Sequence, residues 1–365
     1  MLGCGPKKIA EEVQTESGLI SGIAVDSVVV FKGIPFAAPP LGNLRWKAPQ
    51  PVSPWEEVRK CVEFGPSPMQ PDPVPFSVYT SEFLIPETPI SEDCLYLNVW
   101  TAAREPGEKR PVLVWIYGGG FGSGGSAVPI YDGEAMARKG VVFVSINYRV
   151  GIFGFLALPG LSNETDTKHS GNYGLMDQIA ALQWIQTNIA AFGGDPGNVT
   201  IAGQSAGSIS VNCLVASPKA KGLFHRAIAE SGASFIPNGF IDAGGLKVAE
   251  EKGREIALSL YASSTDDLRG INADTLLKKV KHRFGPIIDG YILTKPTSET
   301  FENGEENDVP VLTGWNADEG FVWQAQTREE YLKEARARYG DDVNTFLTYY
   351  PAGSEEETMA SRVAL

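Results

Sequence analysis

The sequence of 365 residues has only four cysteines, too few for a disulfide scaffold, and no Cys-x-x-Cys pair or His/Cys cluster that would mark a metal site. It lacks any run of about 18 apolar residues, so no segment reads as a membrane-spanning helix. It has no three-residue period, which excludes collagen, and no internal repeat. Positive charge is in deficit: 31 Lys and Arg stand against 44 Asp and Glu, a net charge of −13. Such a chain repels a phosphate backbone, and nucleic acid is not an expected partner. What is present is ordinary globular material. The 43% hydrophobic content and seven Trp exclude disorder and can build a sizeable core.

Both ends are unusual. Met1-Leu2-Gly3-Cys4-Gly5 resembles the tail of a bacterial lipoprotein signal, whose Cys carries a lipid, although the basic and apolar regions that should precede it are missing. Residues 1–12 therefore read as a leader or tether. Cys4 is either a lipid-anchor site in a secreted or periplasmic protein or a plain free thiol. At the other end, Ser354-Glu355-Glu356-Glu357 is a capping box that opens a helix through Met359, Val363 and Leu365. No Gly, Asn or Pro stops that helix, so the expectation is a C-terminally truncated chain.

Between the ends the rhythm changes once. Val13–Thr15, Leu19–Val25 and Val28–Lys32 read as an antiparallel meander. A Pro-rich stretch follows, up to the strand Leu95–Trp100. Then Val112–Tyr117 and Val141–Asn147 are continuous apolar runs, as strands buried on both faces require. A short helix, Tyr131–Lys139, lies between them, and residues 175–192 carry apolar side chains at helical spacing. Val199–Ala202, His225–Glu230 and Val309–Gly314 read as strands, Ser205–Leu214 and Leu246–Tyr261 as helices. The alternation predicts an α/β protein with a mostly parallel central sheet. With no clean linker, residues 13–365 read as a single domain.

Gly203-Gln204-Ser205-Ala206-Gly207 matches G-x-S-x-G and sits between a strand and a helix. A Ser there must turn sharply, and its hydroxyl stands exposed at a helix N-terminus, where partial positive charge favours an anion. Tyr117-Gly118-Gly119-Gly120-Phe121-Gly122 ends another strand. An acyl-transfer site needs backbone N–H groups aimed at a developing oxyanion; a glycine run supplies them, and Ala206, after the Ser, supplies another. Gly120-Phe121-Gly122-Ser123-Gly124-Gly125 also satisfies the dinucleotide fingerprint G-x-G-x-x-G, but no helix opens at its last Gly and no acid ends the next strand. A carboxylate in the loop after a late strand is where a triad acid belongs, and Asp318 and Glu319 are both there. A His must follow to take the proton of the Ser. The three histidines, His169, His225 and His282, all precede Glu319, so the triad is incomplete in this sequence.

From Gly18 to Gly320 the chain resembles the type-B carboxylesterase family, the cholinesterase-like branch of the α/β-hydrolases. The resemblance rests on residues 31–37, 91–99, 115–120, 147–151, 174–178 and 192–196, on the Gly203–Gly207 turn, and on Asp318-Glu319-Gly320. It implies an α/β-hydrolase fold and a carboxylesterase acting on small-molecule esters with no cofactor. In that reading Ser205 is the nucleophile, Glu319 the acid, and Gly119, Gly120 and Ala206 the oxyanion donors, all at the C-terminal edge of the sheet. It implies internal ion pairs Arg149–Asp177 and Arg45–Glu92, places Ser231 behind the triad, and puts the missing His beyond Glu319. Three departures bear on function. Cys61 stands a few residues away from where secreted members place the partner of Cys94; the loop between them has no Trp; and Gln204 stands where cholinesterases carry Glu. The last two imply neutral esters rather than choline esters. The alternative is a cholinesterase-like adhesion protein that binds without catalysis.

Overall fold

The two continuous apolar runs fold as neighbouring parallel strands, Arg110–Ile116 and Val142–Ile146, with Val142 beside Val112 and Ile146 beside Ile116. In the computed structural model, which describes residues 11–75, 79–87, 89–232, 245–316 and 327–364, they form the middle of a large mixed sheet. Its strands in chain order are β1 (Ile23–Val25), β2 (Val28–Pro35), β3 (Tyr96–Thr101), β4 (Arg110–Ile116), β5 (Val142–Ile146), β6 (Gly194–Gln204), β7 (Arg226–Glu230) and β8 (Val311–Gly314). The spatial order is β8-β7-β6-β4-β5-β3-β2-β1. Strands β4 to β7 are mutually parallel. Strands β3, β2 and β1 continue the sheet in antiparallel fashion from β5. This is the α/β-hydrolase fold, parallel in the half that carries the motifs and antiparallel along the N-terminal edge. Cys4, Asp318 and Glu319 lie outside the described residues.

The expected strand Leu19–Val25 is two strands in two sheets. Gly18–Ser21 pairs with Glu12–Thr15 and Arg59–Lys60 in a small separate sheet, while Ile23–Val25 joins the large one as β1. The chain crosses between the sheets at Gly22, where a side chain would stand 2.5 Å from the Val30 carbonyl oxygen. Only a residue without Cβ lets the two backbones approach so closely.

Two helices matter for the site. Helix α1 (Tyr173–Asn188) buries Leu175, Met176, Leu182 and Ile185, and a short 3₁₀ turn, Ile189–Phe192, extends it. Helix α2 (Ala206–Ala216) starts directly after β6, and every one of its residues is buried. The Arg149–Asp177 pair ties the segment after β5 to α1. Both side chains are almost fully buried, and Asp177 accepts from Arg149 Nε at 2.8 Å, Nη2 at 2.7 Å and the backbone N–H at 3.0 Å. Arg45 and Glu92 pair as well, at 2.6 Å from Nε to Oε2. Cys61, Cys94 and Cys213 are buried, and Cys61 and Cys94 form no disulfide. Burial pushes the Cys61 thiol up to about 11 and holds Cys94 well above its ordinary value, so neither presents a thiolate.

The chain divides into two compact units, one ending at Thr313 and the other running from Gly314 to Leu365. The second is helical: α3 (Arg328–Tyr339), α4 (Val343–Tyr349) and α5 (Glu355–Ala364). Helix α5 opens where the sequence places it, with Ser354 Oγ accepting the Glu357 N–H at 3.1 Å. The Glu357 carboxylate reaches one residue further back than a capping box requires, to the Gly353 N–H at 2.7 Å. Among the described residues no helix is long and apolar enough to cross a membrane.

Candidate active site

The strand order fixes where a site can form. Strand β4 has β5 on one side and β6 on the other, so successive connections leave it in opposite directions. Ligands in open α/β sheets bind at such a switch point, beyond the C-terminal ends of the strands. Ile116 pairs with Gly203, and Gln204 with Glu230, so the glycine run after β4 and Ser205 after β6 leave the sheet side by side.

Ser205 makes the sharp turn its position demands. Its φ of 56° and ψ of −124° are costly for a residue with a side chain, about 1–3 kcal/mol. The neighbours hold it there: its N–H donates to the Glu230 carbonyl and its own carbonyl accepts from the Ile209 N–H, both at 2.9 Å. The turn packs directly on the end of β4, since a Cβ at Gly207 would stand 2.1 Å from the Ile116 carbonyl oxygen. That atom belongs to a backbone with no room to yield. Gly207→Ala is therefore expected to lower stability by about 3 kcal/mol or more, beyond usual core overpacking; the denaturant midpoint would show it, and an unchanged midpoint would contradict this geometry.

The glycine run lies against the same turn. A Cβ on Gly118 would stand 2.6 Å from the Gln204 carbonyl oxygen and 3.2 Å from Ser205 Cβ. Gly119 and Gly120 follow with φ of 108° and 61°. Among the described residues the N–H groups of Gly119, Gly120 and Ala206 donate to no protein acceptor. Ala206 is the first residue of α2, whose N-terminal N–H groups have no intrahelical partner. The glycine run thus meets the Ser205 turn through Gly118, at the positive N-terminal end of α2, where an anion is favoured.

Two side chains without a sequence signal of their own, Tyr148 and Gln70, seat the glycine run, the first through Tyr117. The Tyr117 and Tyr148 rings stack, with centroids 4.3 Å apart, and each hydroxyl donates to the other residue's carbonyl at 2.8 Å. Burial raises both phenols far above their ordinary values, so they remain neutral donors. The second is Gln70, which reaches Gly124 from a loop 54 positions earlier. A contact of that sequence separation leaves no local pattern to read.

Each of the three histidines has its described contacts elsewhere than at Ser205. His225 Nδ1 accepts the Val199 N–H at 3.2 Å, six residues before Ser205 on β6, or about 20 Å along a strand. His169 stacks on Tyr291 at 4.0 Å, and the next residue, Ile292, accepts from Ser217 Oγ at the far end of α2. That end is about 18 Å from Ser205 at 1.5 Å per residue. Burial also pushes His169 below its ordinary value. His282 meets the edge of Phe284. Among the described residues no histidine ring hydrogen-bonds Ser205. Ser231, with φ of 55°, directly follows Glu230, whose carbonyl holds the Ser205 N–H. Among the described residues no group of three His, Cys, Asp or Glu could hold a metal.

Fold and turn together define an α/β-hydrolase. The chain belongs to the carboxylesterase family, whose profile matches residues 9–362. Over 363 residues it is 39% identical to fumonisin B1 esterase of Sphingopyxis macrogoltabida, covering 95% of this chain and 64% of that one. It is 39% identical over 372 residues to a cholinesterase of Mus musculus, at 94% and 59% coverage. With para-nitrobenzyl esterase of Bacillus subtilis the identity is 38% over 333 residues, at 88% and 65% coverage. The chain spans about three fifths of the length of the curated relatives it matches.

Proposed function

We propose that the protein hydrolyses neutral carboxylic esters through an acyl-enzyme on Ser205. The observation that carries this reading is the strained Ser205 set against a glycine run in which the Gly119 and Gly120 N–H groups have no other acceptor among the described residues. Ser205 Oγ attacks the ester carbonyl, and its proton passes to a histidine. The carbonyl oxygen becomes an oxyanion held by the N–H groups of Gly119, Gly120 and Ala206. Collapse of the intermediate expels the alcohol, which takes the proton from the histidine. Water then attacks the acyl-Ser205 ester by the same route and releases the acid. Glu319 orients the histidine; if the gene continues past Leu365, that histidine is expected about 70–110 residues after Glu319, in a loop following a further strand.

The preference for neutral esters rests on charge. Gln204, beside the nucleophile, carries none, and the loop before β3 offers Tyr79 and Phe83 but no Trp to hold a cation. The test uses the protein expressed from the complete gene, with acetylcholine and its neutral isostere 3,3-dimethylbutyl acetate. Their kcat/KM values are expected to agree within about threefold. A desolvated cation–π contact of about 2 kcal/mol would favour acetylcholine about 30-fold, and that result would overturn the neutral preference. In the same protein a fluorophosphonate should label Ser205. Absence of both labelling and turnover would favour the binding-protein alternative.

A further inference from the structure

The glycine run is closed by a side chain from elsewhere in the fold. Gln70 lies just after the short strand Ser67–Pro68 and is 4% exposed. Its Nε2 donates to the Gly124 carbonyl at 2.7 Å, and its Oε1 accepts the Gly124 N–H at 2.8 Å. The second Nε2 hydrogen goes to the Pro68 carbonyl at 2.9 Å. One carboxamide thus pairs both backbone groups of Gly124, as the facing residue of a neighbouring strand would. Only Asn and Gln offer an acceptor and a donor side by side.

Gly124 is in turn pressed onto the start of its own loop. A Cβ there would stand 2.5 Å from the Tyr117 ring and 2.6 Å from the Gly118 carbonyl oxygen. Inside the loop, the Gly122 and Ser123 N–H groups both donate to the Gly119 carbonyl at 3.1 Å. Fixing Gly124 therefore fixes the peptide units of Gly118 to Gly120. The loop is clamped at its entry by Tyr117 and Tyr148 and at its exit by Gln70.

We propose that Gln70 is a positioning residue for ester hydrolysis: by pairing with Gly124 it holds the Gly119 and Gly120 amides where the oxyanion forms. The proposal rests on the ester-hydrolase reading above. Oxyanion donors act because they are already in place when charge develops, and a misplacement of about 1 Å costs about 10²-fold. A Gln70 that served only to satisfy a buried loop would affect stability and leave the chemical step alone.

The test measures kcat, KM and the thermal midpoint with p-nitrophenyl acetate, and amide exchange over residues 118–125, in the protein expressed from the complete gene. Gln70→Leu removes all three hydrogen bonds; Gln70→Glu keeps the acceptor for the Gly124 N–H and loses at least one of the two donors, both when ionised. Both are expected to lower kcat about 10- to 100-fold with KM within about threefold, and to speed exchange across 118–125. A folded Gln70→Leu that keeps more than about half of the wild-type kcat overturns the proposal. If neither variant is recovered folded, Gln70 serves folding and the proposal likewise fails. A wild type that turns over no ester refutes the hydrolase reading itself; unchanged exchange over 118–125 in the variants would then refute the clamp separately.

Discussion

Ser205→Ala should lower ester turnover by about 10⁶-fold in the protein expressed from the complete gene, leaving about 10³–10⁴ over water from the oxyanion donors and binding alone. The fold should not notice, because Ala occupies the same turn with the same backbone cost. Ser205→Gly separates the two effects. It is equally inactive, but glycine adopts a φ of 56° freely, so part of the 1–3 kcal/mol of strain is released. Its unfolding free energy is expected to exceed that of Ser205→Ala by about 1 kcal/mol. Turnover retained in Ser205→Ala would end the case for this nucleophile, and equal stability of the two variants would show that the turn is unstrained.

Asp177→Ala should be the most destabilising of the simple substitutions, at about 3–5 kcal/mol, because it leaves the Arg149 guanidinium buried and unpaired. Nη1 of Arg149 has no hydrogen-bond partner among the described residues, so Asp177 is the one side chain there that hydrogen-bonds the charge, with the Tyr173 ring 5.4 Å from the guanidinium. Against a typical total of about 5–15 kcal/mol, the loss endangers folding at growth temperature. Replacing both charges, as in Arg149→Met with Asp177→Leu, removes the unpaired ion and should recover at least half of the loss. Denaturant midpoints of the two variants decide this. A double variant no better than Asp177→Ala would mean that the backbone bond from the Arg149 N–H to Asp177 is what counts. Tyr148 adjoins Arg149, so Asp177→Ala should also loosen the ring stack that seats the glycine run.

How far the sequence could be read depends on the distance over which each feature is encoded. The turn at Ser205 is local: Gly203, Ser205 and Gly207 lie within five residues, with a strand before and a helix after, and the structure forms it there. The β4 and β5 runs were equally legible, because strands in the middle of a covered sheet are nearly continuous in apolar residues, with Ser145 the one polar residue of β5. The split of Leu19–Val25 was not, since Gly22 is required by a backbone approach to Val30 that exists only after folding. His225 stands directly before β7, and its ring holds the start of the β6–β7 pair through the Val199 N–H. The Cys61 and Cys94 thiols remain apart, as the offset of Cys61 suggested. Gln70 and Tyr148 are long-range partners of the glycine run and are invisible to spacing. Glu319 stands on motif and family likeness alone, because its loop lies outside the described residues.

The buried thiols also bear on where such a fold can mature. Burial pushes the Cys61 thiol up to about 11, so at neutral pH it stays protonated and is enclosed by the core. Neither an oxidising lumen nor a glutathione-rich cytosol has a sulfur to act upon in the core around Cys61, Cys94 and Cys213. In the folded state the core around Cys61 and Cys94 rests on packing and a buried ion pair rather than on a disulfide, so a redox agent in the surrounding solution meets no exposed thiol there.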